Sequence, residues 1–114
     1  MTINQYRTAI AEAANYTDRG AYISDLTLSA VWGDPEDADC PAARVEQLEK
    51  IWDAYHRSVK DIAAAAGLSC RKMAERFSVP YRTMEDWSAG KSACPVYTRL
   101  MMQECLGLLV VEIA

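Results

Sequence analysis

The residues that could do covalent or metal chemistry are few. His56 is the only histidine, and Cys40, Cys70, Cys94 and Cys105 stand 30, 24 and 11 positions apart. Common zinc sites need closely spaced ligand pairs, and there is no CxxC pair, so no metal site is expected. No glycine-rich phosphate loop is present, and no carboxylate follows His56 at helical i+4 spacing. A Cys/His nucleophile pair would require His56 beside a cysteine, which the spacing does not indicate. The chain is therefore not expected to be an enzyme, and no cofactor is implied. Cys70 opens a helix beside Arg71 and Lys72, a placement that redox-sensitive thiols share. A small residue tolerated in a first helical turn is the simpler reading. The remaining chemistry is ionic. From Ser58 to Gly107 there are seven bases (Lys60, Arg71, Lys72, Arg76, Arg82, Lys91, Arg99) against five acids, whereas Met1 to Arg57 holds ten acids against five bases. A base-rich segment in an acidic chain points to recognition of a polyanion.

Composition bounds what can carry that segment. The chain has 114 residues, 51% hydrophobic and 25% charged, with a formal net charge of −4 and a pI of about 4.9. That is enough for one small domain with a helical extension, and it is too apolar for a disordered chain. No run approaches the ~18 consecutive apolar residues of a membrane span. The start MTINQYRTAI lacks a basic region followed by an apolar run, so no secretory leader is expected. With four cysteines read as reduced thiols, a cytoplasmic location follows.

The periodicity is helical throughout. Thr2 caps a first helix carrying Ile3, Tyr6, Ile10 and Ala13. Thr17 or Asp18 caps a second through Tyr22, Ile23, Leu26 and Val31, ended by Trp32-Gly33. The acidic loop DPEDAD (34–39) follows. Val45, Leu48, Trp52, Tyr55, Val59, Ile62 and Ala66 then alternate steps of three and four. This spacing predicts one long helix over 41–66, ended by Gly67, its stripe packed within the chain or against a partner helix. Short helices succeed it: Ser69 caps Cys70–Phe77, a turn at Ser78-Val79-Pro80 leads to a helix ending at Ala89, and Gly90 stops it. Pro95 begins a last helix with Leu100, Met101, Leu106 and Leu109 as apolar positions, and Tyr97 is a candidate wedge against Trp87. The tail 110–114 is apolar. Trp32, Trp52, Tyr55 and Trp87 read as core aromatics, and His56 as a solvated surface histidine. The expectation is an all-α helical bundle: an N-terminal helical extension with its acidic loop (1–40), a connecting helix (41–66), a helix-turn-helix domain (58–109) and the tail.

The helix-turn-helix follows from a packing pattern. Where two short helices cross steeply after a tight turn, a small residue must sit where the second approaches the first. Ala74 is that residue. The turn residue Ser78 comes four positions later, then the aliphatic Val79, then apolar Met84 and Trp87 to seal the second helix. Met73 and Phe77 face the same core.

With these residues in place, Ser58–Leu109 resembles the helix-turn-helix domains of the Cro and lambda-repressor (XRE-like) type. The strings AGLS and MAERFSVPYRTMEDW, followed by Gly90, carry the likeness. The resemblance implies that the helix at about 80–89 enters the major groove of DNA. Residue by residue, it implies that Tyr81, Arg82 and Glu85 face bases, Arg82 donating to guanine and Glu85 accepting from cytosine. Arg71, Lys72, Thr83 and Lys91 would meet phosphates. The chain departs from the family in having Cys70 where glutamine is common and Ser78 where glycine is usual. Glu85 and Asp86 also place two carboxylates on or beside the reading face.

The expected function is sequence-specific DNA-binding transcription regulation of prokaryotic or phage type, by a homodimer on double-stranded operator DNA. The competing expectation is a protein-interaction module on the same scaffold, as in antitoxins and phage-encoded inhibitors. There the acidic half, with 34–39 and the face Glu46, Glu49 and Asp53, would bind a basic protein partner.

Overall fold

The computed structural model describes residues 1–28, 41–111 and 113. Among them the chain is all-α, with seven helices and no strand. It divides into two compact units, one formed by Met1–Tyr55 with Val110–Ala114, the other by His56–Leu109.

The first unit begins with α1 (Ile3–Ala13). Thr2 and Gln5 close its start as a capping box: the Gln5 N–H donates to Thr2 Oγ1, and the Thr2 N–H to Gln5 Oε1. α2 (Arg19–Thr27) is capped by Asp18, whose Oδ2 accepts from the Ala21 N–H at 2.8 Å. It ends sooner than the apolar pattern suggests, with Leu28 as its last cap. Val31, Trp32, the loop 34–39 and Cys40 lie outside the described residues. α3 (Pro41–His56) supplies Leu48, Ile51 and Trp52 to a core shared with Ala9, Ala13, Tyr22 and Leu26. Tyr22 is wholly buried, so its hydroxyl must find an acceptor. It donates to the Ala9 carbonyl at 2.8 Å while its ring packs on Trp52, centroids 5.0 Å apart. Burial also pushes its phenol well above the usual tyrosine range.

The single helix expected over 41–66 is two. α3 stops at His56 and α4 (Val59–Ala66) starts after Ser58, which has extended backbone and whose Oγ accepts from the Asp61 N–H at 3.1 Å. The break has a second cause in the His56–Leu109 unit. The Arg57 carbonyl, which a continuous helix would keep for itself, accepts from Arg99 Nη1 at 2.8 Å. The Arg57 guanidinium donates in turn to Oε1 of the fully buried Gln103 at 2.8 Å. Charge-assisted bonds of this kind contribute about 1.5–3 kcal/mol each, enough to outweigh one helical turn.

α5 (Cys70–Phe77), α6 (Tyr81–Ala89) and α7 (Val96–Cys105) complete this unit. Val59, Ile62, Met73, Ala74, Met84 and Met102 form its core, with Phe77, Val79 and Trp87 packed against it. Four positions on α7 differ from the sequence reading. Met102 and Gln103, not Met101, turn inward; Met101 is 60% exposed, and Tyr97, at 69%, does not wedge against Trp87. No helix among the described residues is long and apolar enough to cross a membrane.

Candidate nucleic-acid interface

Two helix ends set up the cationic surface. Ser69 caps α5, its Oγ accepting from the Lys72 N–H at 3.2 Å, so Arg71 and Lys72 occupy the first turn with no acid beside them. Cations there oppose the helix dipole and leave that end suited to an anion. The other end is the turn. α5 closes at Ser78, held at φ 54° and ψ 39°, with the Val79 N–H reaching back to the Ala74 carbonyl at 2.9 Å. Ser78 is the one non-glycine residue with positive φ among the described residues. The same closure at Gly90 ends α6, with the Lys91 N–H on the Asp86 carbonyl. Ala74 and Met84 are buried where α5 and α6 pack, as the small-residue pattern requires.

This packing turns the apolar side of α6 inward and leaves its polar residues outside. Tyr81, Arg82 and Glu85 are exposed; Thr83 is half-buried. Arg71, Lys72, Arg76 and Lys91 are exposed as well. Across the two helices, the Arg71 guanidinium lies over the Tyr81 ring, 4.5 Å from its centroid. A guanidinium stacked on an aromatic face is oriented yet keeps its edge donors available. Arg82 extends into solvent, its side chain 82% exposed, with Nε 3.5 Å from Oδ1 of Asp86, whose side chain is 31% exposed.

The two acids of α6 separate. Asp86 engages Arg82, whereas Glu85 lines a groove of about 480 Å³ with Tyr81, Lys60 and the α4 alanines Ala63 and Ala64. Cys70 lies in the same groove, its Sγ accepting from Ser88 Oγ at 3.9 Å. The stack of Arg71 on Tyr81 and the pairing of Arg82 with Asp86 were not read from sequence. The second has a signal, since opposite charges at i and i+4 meet on a helix face.

The acidic face of the other unit is internally paired. Arg19 reaches Asp53 with two donors, at 3.1 and 3.2 Å, and approaches Glu49 at 3.9 Å; Glu46 pairs with Lys50 at 3.4 Å. Cys70 and Cys94 are half-buried and Cys105 exposed, all as free thiols. Among the described residues no group of three or more His, Cys, Asp or Glu side chains is placed to hold a metal ion. No protein-family model matches the chain, and comparison with curated proteins and with solved structures returned no match.

Proposed function

We propose that the chain is a sequence-specific DNA-binding regulator of the helix-turn-helix kind, presenting α6 to the major groove and acting as a dimer on a two-fold operator. The observation that carries this reading is the α5–α6 pair. Its apolar residues are spent on the core, while Arg71, Lys72, Arg76 and Arg82 stand exposed along its outer side. In this reading Arg82 donates to a guanine edge, Tyr81 and Glu85 contact neighbouring bases, and Arg71, Lys72, Thr83 and Lys91 meet phosphates. A single domain of this size covers only a few base pairs, which is why two copies are required. The internal pairing of Glu46, Glu49 and Asp53 supports this reading over one in which that face docks a basic protein. Those three carboxylates already engage the two cations Arg19 and Lys50.

The test is fluorescence anisotropy against duplexes selected from a random pool, with salt varied. Affinity should fall steeply as salt rises. Arg82→Ala should lose about 1–3 kcal/mol at one base position and relax the preference there. Absence of duplex binding at low salt, or binding indifferent to salt, would refute the proposal.

A further inference from the structure

A recess of about 440 Å³ in the His56–Leu109 unit carries bases and hydroxyls beside apolar side chains, and no carboxylate, in its lining. In a chain with 16 acids to 12 strong bases, that selection is informative. Its polar lining is His56, Ser58, Lys91, Ser92 and Arg99, drawn from the end of α3, the cap of α4, the loop after α6, and α7. Ser58, Lys91, Ser92 and Arg99 are held by specific hydrogen bonds. Ser58 Oγ receives the Asp61 N–H at the helix cap, which leaves the hydroxyl proton for an incoming acceptor. The Lys91 and Ser92 N–H groups both donate to the Asp86 carbonyl, at 2.9 and 3.4 Å, fixing the loop. The carboxylate of that same Asp86, the acid nearest Lys91 in sequence, turns to Arg82. Arg99 is anchored by one Nη on the Arg57 carbonyl. Its charge is felt at the wall: burial pushes the Cys94 thiol up, and Arg99 pulls it partly back. Trp87 supplies an aromatic side.

We infer that this recess binds the phosphate group of a phosphate ester, its volume being that of a small-molecule site. Lys91 and Arg99 supply the positive field, and the Ser58 and Ser92 hydroxyls supply directed donors to phosphate oxygens. The two possible sources are a free nucleotide-sized ester and the backbone of a duplex, and the recess size favours the first. Of the residues proposed to meet DNA, only Lys91 is shared, so the inference does not depend on what α6 reads.

The experiment is amide NMR on the full chain at constant ionic strength, titrated separately with adenosine monophosphate, inorganic phosphate and a short duplex. Saturable shifts at Ser58, Lys91 and Ser92 with adenosine monophosphate are expected. They should weaken about fivefold in Lys91→Gln, the upper range for one exposed charge contact, and persist in Arg82→Ala. Shifts at those amides with the duplex alone, lost in Lys91→Gln, keep the phosphate site and identify its source as the nucleic-acid backbone. If none of the probes shifts them at millimolar concentration, the inference is overturned. The same holds if chloride at equal ionic strength shifts them alike, or if Lys91→Gln binds as the parent does. Duplex binding that leaves these amides unmoved preserves the α6 reading while removing this one.

Discussion

Replacing Ser78 by glycine should stabilise the His56–Leu109 unit. Ser78 sits at φ 54° and ψ 39°, and its hydroxyl makes no hydrogen bond among the described residues. The left-handed region costs a residue with a Cβ about 1–2 kcal/mol relative to glycine. Glycine gives back about 0.4–1 kcal/mol through the greater freedom of its unfolded chain. The difference is a gain of about 0.5–1 kcal/mol, equivalent to a rise in melting temperature of roughly 3–6 °C for a unit of this size. Ser78 is exposed, so no packing is lost in the exchange. Thermal unfolding followed by far-UV circular dichroism, paired with urea titration, reads both quantities. Ser78→Ala is the internal control, because alanine keeps the Cβ and should give no gain. A melting temperature lowered by Ser78→Gly, or raised equally by Ser78→Ala, would refute the backbone argument.

Three further outcomes are expected. Asp86→Asn frees Arg82 from its i+4 partner and removes a charge that repels phosphate. It should raise affinity for a mixed-sequence duplex roughly two- to fivefold, the range set by an exposed pair, and steepen the salt dependence in anisotropy. Combined with Arg82→Ala the gain should shrink. Tyr22 stays neutral in the fold because burial raises its pKa. The unfolded chain therefore releases that proton first, so stability is flat below pH about 10 and falls above it, by up to about 1.4 kcal/mol per pH unit. Tyr22→Phe should lose about 0.5–1.5 kcal/mol at neutral pH, through the bond to Ala9, and flatten the alkaline decline in pH-dependent urea melts. Gln103→Leu leaves the Arg57 guanidinium without its side-chain acceptor and should cost about 2–3 kcal/mol by the same measurement.

What was legible in the sequence, and what was not, follows from how each feature is encoded. The buried Ala74 and Met84 were readable because close helix packing demands a small residue against an apolar one at fixed spacing. The break before α4 was not, because the three-and-four apolar rhythm runs on unbroken from Tyr55 through Val59 to Ile62. The signal lay in the polar residues, with Ser58 followed three places later by Asp61, the start of a helix rather than the middle of one. Apolar periodicity is equally blind to Gln103, a polar residue in a core position. Between Met101 and Met102 it has two identical side chains to choose from. The fork from Arg19 to Asp53 spans 34 positions and leaves no local trace. At the candidate interface the exposed cations were visible by type, while the stack of Arg71 on Tyr81 depends on how α5 and α6 pack.

The reciprocal bonds among Arg57, Gln103 and Arg99 have a consequence for the order of assembly. They join positions 46 and 42 apart. Closing a flexible loop of that length costs about 3 kcal/mol in chain entropy, so the clasp forms only after the short helices between have shortened the path. It acts as a latch on a finished structure rather than as a seed for it, and it should slow unfolding more than it speeds folding. A fragment beginning at Ser58 would keep every helix of the unit and lose that kinetic protection.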